Sequence, residues 1–169
     1  IVDYMVVRLG WSRDEAEERR RRYVGEYGVT LDGLHRLHGV DVGDYMEYVH
    51  AVPHSEYIKP NPALDRMLGR LRPSKAIFTN ASQSHARRVL SALGVSTSHF
   101  ECIFDFEAAG YCPKPDPEAY RRILDRLGAR GDQCVLVEDN LRNLDTAKSV
   151  FDMTTVLVRK CGHGEKGQA

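Results

Sequence analysis

The pattern of apolar and polar positions along the chain changes near residue 58. Before that point, apolar residues recur at helical spacing and the pattern predicts helices only. After it, short apolar runs alternate with amphipathic stretches of about ten residues, which is typical of right-handed β-α-β units around a parallel sheet. We therefore predict an α-helical region at 1–57, an α/β core at 58–160 and a loose, glycine-rich tail at 161–169.

Cap and turn residues locate the elements within these regions. Ser12 followed by Glu15 is a capping-box pattern that begins a long helix, and Asn61-Pro62 is a cap followed by a first-turn proline. The predicted strands are Lys75–Thr79, Glu101–Phe106, Cys134–Val137 and Thr154–Val158. The predicted helices between them are Ser84–Leu93, Pro117–Leu127 and Leu144–Val150. All four strands are short and apolar, so we expect them to be buried on both faces.

Charge and composition exclude several classes of protein. Lys plus Arg and Asp plus Glu both number 24, so the net charge is zero, which argues against a nucleic-acid-binding surface. The four arginines at 19–22 are interleaved with glutamates at i,i+4 spacing and predict a solvated helix face. The sequence contains no run of 18 apolar residues, so it predicts no membrane-spanning helix. The four cysteines form no C-x-x-C pair, and we expect reduced thiols and a cytoplasmic location.

Polar residues gather where the predicted strands end. Thr79 and Asn80 follow the first strand, Glu138 and Asp139 follow the third, and Lys114 precedes a helix. Ligands of open parallel sheets bind at the carboxyl ends of the strands. Two adjacent carboxylates suit a hard cation such as Mg²⁺, and a hydroxyl with a lysine suits a phosphoryl group. Taken singly, each residue also fits a turn, a surface position or a helix-dipole contact.

Three of these segments resemble known sequence motifs. FTNAS, KPDPEAY and VLVEDNLRNLDTAK resemble the second, third and fourth motifs of the haloacid dehalogenase (HAD) superfamily. The helical segment DGLHRLHGVDVGDYMEYVHAV resembles the cap insertion of its pyrimidine 5′-nucleotidase-like branch. The resemblance covers nearly the whole chain. It implies a doubly wound, Rossmann-like α/β fold with a parallel sheet and a small α-helical cap.

The resemblance also implies roles for the matched residues. Thr79 would bind a phosphate oxygen, with Asn80 beside it, and Lys114 would hold the phosphate and the nucleophile together. Asp139 would ligate Mg²⁺, and Glu138 would support the metal directly or through water. Two further positions are less clear. Asn143 falls where many relatives place another acid, which leaves its metal role open, and Asp145 is two residues too late for that slot.

The first motif of the family is missing from the chain. That motif is a strand ending in D-x-D-x-T/V, whose first Asp attacks phosphorus, and residues 1–169 contain no such segment. The segment most similar to this motif, around Asp105, lacks the second Asp and the hydroxyl residue. The chain begins with Ile1 rather than Met, so we expect the first core strand and its nucleophile to lie upstream, and residues 1–169 alone to be inactive.

The implied activity is Mg²⁺-dependent hydrolysis of a small phosphate monoester through an aspartyl-phosphate. The cap resemblance points to a pyrimidine nucleoside 5′-monophosphate, UMP or CMP, as substrate. Two alternatives stay open: a phosphatase for another small phosphometabolite, and a truncated or non-catalytic phosphate-binding protein. The residues upstream of Ile1 would discriminate an enzyme from the non-catalytic protein: a D-x-D-x-T strand there would favour the enzyme.

Paired histidines offer a different hypothesis. His35 and His38 are three apart on a predicted helix, and His50 and His54 are four apart, spacings that could suit zinc. No third ligand follows at a typical spacing, so helix-surface or cap packing is favoured. A substrate contact for His50 and His54 stays open.

Overall fold

The computed structural model describes residues 1–51 and 53–159. The chain divides into two compact units at Pro113/Lys114, and each unit is described by itself. The predicted tail at 161–169, with Cys161, lies outside the described residues. None of the helices in the described part of the chain has the length and apolarity needed to cross a membrane.

The first unit begins with helices and adds a pair of strands. Its helices are α1 Val2–Leu9, α2 Arg13–Tyr27, α3 Thr30–His38, α4 Val42–His50, α5 His54–Tyr57, α6 Pro62–Arg70 and α7 Gln83–Leu93. Its strands are β1 Ala76–Phe78 and β2 Cys102–Phe104, which pair in parallel. The β1–α7–β2 order is therefore one of the β-α-β units that the sequence predicts.

Tyrosines and aliphatic side chains of the first four helices form the main core of this unit. A close approach between α2 and α3 depends on Gly33, because a Cβ atom there would lie 2.5 Å from the ring of Tyr23. That ring is completely buried. At the start of α2, Ser12 Oγ accepts a hydrogen bond from the amide of Glu15, as the capping pattern predicts. The core residues are Tyr4, Met5, Ala16, Tyr23, Leu31, Leu34, Val40, Tyr45, Met46 and Phe106.

The second unit is a β-α-β unit preceded by a helix. Its elements are α8 Pro117–Leu127, β3 Val135–Glu138, α9 Leu141–Phe151 and β4 Thr154–Leu157. The two strands pair in parallel, with Val137 opposite Val156. Tyr120 of α8 joins the helices, because its ring stacks on Phe151 and its hydroxyl donates to the carbonyl of Asn143 at 2.7 Å.

The predicted α/β fold with parallel strands is confirmed, and most predicted bounds differ from the observed ones by one or two residues. The largest difference is at α9, which begins at Leu141 instead of Leu144. The side chain of Asn140 accepts a hydrogen bond from the amide of Arg142, so this residue caps the helix a turn earlier than expected. The predicted cap boundary at 57/58 stays a prediction.

The prediction that all four strands are buried on both faces is wrong for β3 and β4. Val135 and Val137 of β3 are 60% and 61% exposed, and Val156 of β4 is 44% exposed. Residues that are paired across parallel strands point to the same face, so these valines form one uncovered apolar surface. Within the described residues, one face of this sheet is therefore exposed to solvent, although its side chains are the apolar ones typical of buried parallel strands.

Candidate functional site

The second unit brings Lys114 and Glu138 into direct contact. The Nζ atom of Lys114 lies 2.6 Å from Oε2 of Glu138, and the side chains are only 7% and 11% exposed. Lys114 lies in the turn before α8, where Asp116 caps the helix by accepting the amide of Glu118. Glu138 is the last residue of β3. The sequence separates the two residues by 24 positions, and the fold pairs them at the carboxyl end of the strand.

Both carboxylate oxygens of Glu138 already accept hydrogen bonds. Oε2 accepts from Lys114, and Oε1 accepts from the backbone amides of Asp139 and Asn140. Burial alone would raise the pKa of Glu138. Hydrogen bonds to Lys114, Asp139 and Asn143 and the charge of Lys114 outweigh burial and hold the pKa well below its usual range. Glu138 is therefore an anion at neutral pH whose main contact is the lysine.

Asp139 and Asn143 complete the cluster in this unit. Asp139 is exposed at the end of β3, immediately before α9. Asn143 is buried, and its Oδ1 atom has no hydrogen-bond partner in the described part of the chain. A buried acceptor without a donor is costly, so this oxygen is a place where a cation or a water would be bound favourably. Asp145 is exposed on α9, as expected for a residue outside the site.

The oxygen donors of this cluster fit Mg²⁺. Mg²⁺ is commonly held by one or two carboxylates together with waters and substrate phosphate oxygens. Asp139 supplies an exposed carboxylate, whereas Glu138 has both oxygens occupied by N–H donors and suits contact through water. The described residues contain no group of three or more His, Cys, Asp or Glu arranged to hold a metal. Further ligands would have to be water, substrate or residues beyond those described.

Thr79 and Asn80 belong to the first unit, directly after β1. The amide of Thr79 donates to the carbonyl of Phe104 at 2.9 Å, which extends the β1–β2 pairing by one residue. Its Oγ1 atom accepts the amide of Ala81 at 3.0 Å. Because that contact uses a lone pair of the hydroxyl, the hydroxyl proton can be donated to an anion. Both Thr79 and Asn80 are half-buried.

Asp105 lies in the segment most similar to the family's nucleophile motif, and both of its carboxylate oxygens accept hydrogen bonds from backbone amides. Oδ2 accepts the amide of Gln83, the first residue of α7, and Oδ1 accepts the amide of Ala108, each at 2.9 Å. The carboxylate therefore ties the start of α7 to the turn after β2. This geometry gives Asp105 a structural role and supports the expectation that it is not the nucleophile.

A cleft of about 480 Å³ in the first unit was not predicted from the sequence. It contains three aromatic side chains, and the rings of His35 and Tyr111 are nearly parallel with centroids 6.4 Å apart. No motif marks these residues, since they come together only through the tertiary fold. The cleft is lined by His35, Asp41, Val42, Gly43, Met46, Ser82, Asp105, Phe106, Glu107 and Tyr111.

Comparison with known proteins defines the family. A family model described as haloacid dehalogenase-like hydrolase matches residues 3–150, and the chain belongs to this family of hydrolases. It is also similar to Phosphate metabolism protein 8 of Saccharomyces cerevisiae, with 29% identity over 158 residues. That match covers 84% of this chain and 49% of the yeast protein, so the chain spans about half the length of this curated relative.

Solved structures of low sequence identity share the fold. L-2-haloacid dehalogenase from Xanthobacter autotrophicus, determined with covalently bound chloropropionic acid, is 20% identical with a TM-score of 0.58, and the match covers 87% of this chain and 62% of that one. A HAD phosphatase from Thermococcus onnurineus is 23% identical with a TM-score of 0.53, covering 100% and 80%. The UTR4 protein of S. cerevisiae is 17% identical with a TM-score of 0.50, covering 99% and 77%. These likenesses establish the HAD-like α/β fold.

Proposed function

We propose that this chain is part of a Mg²⁺-dependent phosphatase that hydrolyses a small phosphate monoester. The observation that carries the proposal is the buried Lys114–Glu138 pair beside the exposed Asp139 at the carboxyl end of β3. A surface lysine would be mobile and solvated, whereas this ammonium is held by a buried carboxylate. The family match and the names of two relatives, a phosphate metabolism protein and a HAD phosphatase, support the same reaction class.

Each residue has a defined part in this proposal. Lys114 attracts the dianionic phosphate and offsets the charge of the transferring phosphoryl group, and Glu138 fixes the position of the ammonium. Thr79 donates its hydroxyl proton to a phosphate oxygen, with Asn80 beside it. Asp139 would hold Mg²⁺, with Asn143 Oδ1 as a second oxygen donor. When bound, Mg²⁺ supplies positive charge that stabilises the transferring phosphoryl group.

The nucleophile is proposed to lie upstream of residue 1. In that reaction a carboxylate oxygen attacks phosphorus, the bond from phosphorus to the ester oxygen breaks, and the alcohol leaves with a proton. Water then hydrolyses the aspartyl-phosphate, which releases inorganic phosphate and restores the carboxylate. The engagement of both Asp105 oxygens with backbone amides supports a nucleophile from another segment.

The lining of the cleft in the first unit suits the neutral, planar part of a substrate. Asp41 and Glu107 line the cleft, and carboxylates repel a phosphate but accept hydrogen bonds from a neutral leaving group. The exposed aromatic rings of His35 and Tyr111 offer stacking surfaces for a planar base. With the cap resemblance, these features favour UMP or CMP. Another small phosphometabolite is the second candidate.

Release of inorganic phosphate by the full-length protein tests the proposal. We expect turnover of UMP and CMP that EDTA abolishes and added Mg²⁺ restores, with kcat/KM at least about tenfold above that for AMP, which corresponds to about 1.4 kcal/mol of discrimination. Turnover of p-nitrophenyl phosphate or glycerol phosphate without this preference would overturn the pyrimidine assignment and retain the phosphatase. No turnover of any monoester would favour a non-catalytic phosphate-binding protein.

A further inference from the structure

Three histidines from three helices meet in the first unit. His50 is the last residue of α4, His54 is the first residue of α5, and His85 lies in the first turn of α7. The Nε2 atom of His54 lies 3.1 Å from Nδ1 of His85. The ring of His50 stacks on that of His85, with centroids 3.9 Å apart and planes inclined by 23°. The sequence pattern indicated that His50 and His54 lie close together but gave no sign of His85, which is 31 residues beyond His54.

This arrangement does not suit a metal ion. The lone pairs of an imidazole lie in the plane of its ring, so two stacked rings direct them along separate, nearly parallel planes instead of towards one point. The described residues contain no group of three His, Cys, Asp or Glu that could hold a metal. The zinc hypothesis for His50 and His54 therefore has no support from the geometry.

The contacts of the cluster are incompatible with full protonation of its rings. A hydrogen bond between two imidazole nitrogens needs one N–H and one lone pair, so His54 and His85 cannot keep it when both are protonated. The Nδ1 atom of His50 is buried and makes no hydrogen bond of normal geometry in the described residues. No carboxylate in the described ranges forms an ion pair with any of the three rings. A positive charge here would be buried without compensation.

The surroundings of the cluster also disfavour protonation of its rings. Burial, followed by the charges of His85 and Arg88, lowers the pKa of His50 to about 4, with the Met46 carbonyl acting in the opposite direction. Burial, His54 and Arg88 lower the pKa of His85 as well. Arg88 lies on α7, one turn beyond His85. Neutral rings are thus the stable state of this contact at pH 7.

The cluster joins two walls of the cleft. Helix α4 contributes Val42, Gly43 and Met46 to the cleft and carries His50 at its end. Ser82, which caps α7, also lines the cleft and lies three residues before His85. We propose that these three histidines, here called the histidine latch, hold α4 and α5 against α7 when the rings of His50 and His85 are neutral, and that protonation of these two rings releases the helices and opens the cleft. This inference does not depend on the proposed phosphatase reaction.

The direction of the pH effect follows from proton linkage. The pKa of His50 is lowered from 6.5 in the closed form, so the open form binds more protons between pH 6.5 and about 4. Acidification through this window therefore favours opening. For His50 alone, a change from pH 7.5 to pH 5 raises the ratio of open to closed molecules about 30-fold.

Backbone hydrogen exchange of the full-length protein at pH 7.5 and pH 5, corrected for the intrinsic chemical rate, tests the latch. We expect the amides of α4 and of the first turn of α7 to lose about 30-fold in protection at pH 5, while α8, which carries no histidine, keeps its protection. The double variant His50→Phe/His85→Phe retains stacked rings without titrating and should lose this pH dependence. His99→Gln is the control, since His99 is in the same unit but pairs with Asp65, and it should behave as wild type.

Three results would overturn the latch: unchanged protection of α4 at pH 5, an equal loss throughout α8, or unaltered pH dependence in the double variant. If the double variant does not fold, an NMR titration of the wild-type histidine rings decides. A pKa for His50 well below that of an exposed histidine supports the latch, and an ordinary value overturns it.

Discussion

The ammonium of Lys114 lies 2.6 Å from a carboxylate oxygen of Glu138, and both side chains are almost completely buried. Such a pair contributes little net stability, yet removing one partner is strongly destabilising because the other charge stays buried. A lysine in this position is therefore costly to place unless its charge has a use. The neighbouring residues Asp139 and Asn143 present oxygens that suit a cation. The role of Lys114 that fits these neighbours is to attract the phosphate of a substrate that also contacts the cation.

Asp139→Asn should remove Mg²⁺-dependent turnover while leaving the fold intact. The carboxylate is exposed, so its loss should change the free energy of unfolding by no more than about 0.5 kcal/mol. We expect a loss of roughly a hundredfold or more in kcat, measured as phosphate release over a range of Mg²⁺ concentrations. Asp145→Asn, an exposed acid on α9, is the matched control and should turn over normally. Normal Mg²⁺ dependence in Asp139→Asn would make the metal assignment wrong.

Asp105→Asn should affect stability more than activity. The substitution replaces one of the two oxygens that accept the amides of Gln83 and Ala108, and loss of one such hydrogen bond costs about 1 kcal/mol. Urea denaturation should show this decrease, and kcat for p-nitrophenyl phosphate should stay within about threefold of wild type, since no transition-state contact is lost. Complete loss of turnover in a folded variant would identify Asp105 as the nucleophile instead.

Tyr111→Ala tests the cleft as the place of the leaving group. An aromatic stacking contact contributes about 0.5–1.5 kcal/mol, so kcat/KM for UMP should fall by up to about tenfold. The same variant should hydrolyse glycerol phosphate, which has no ring to stack, as well as wild type does. Tyr57→Ala, an exposed tyrosine outside the cleft, is the control. Equal losses for both substrates would argue against a base in this cleft.

Residues 1–169 alone should be marginally stable or aggregate. Val135, Val137 and Val156 form an exposed apolar face on a sheet of the kind that is normally covered. We expect sedimentation to show association, and thermal unfolding to be broad, unless further sequence or another chain covers this face. A soluble monomer of residues 1–169 that unfolds cooperatively would contradict this prediction.

The sequence predicted the α/β fold and the approach of Lys114 to Glu138 because both depend on local patterns. The alternation of strands and helices, the cap at Ser12 and the cluster of Lys114, Glu138 and Asp139 follow from spacing and motif resemblance. The cleft and the histidine latch could not be predicted in this way. Tyr111 and His85 reach their partners through tertiary packing, and no periodicity records contacts between residues so far apart.

Turnover of p-nitrophenyl phosphate by full-length Lys114→Ala and Lys75→Ala tests the central claim most directly. Lys75 donates only to the carbonyls of Leu71 and Pro73, which makes it a matched control outside the site. In samples that circular dichroism shows to be folded, we expect kcat to fall by roughly a hundredfold or more for Lys114→Ala and to change less than about twofold for Lys75→Ala. Similar turnover in the two folded variants would contradict the claim that Lys114 acts on a phosphoryl group.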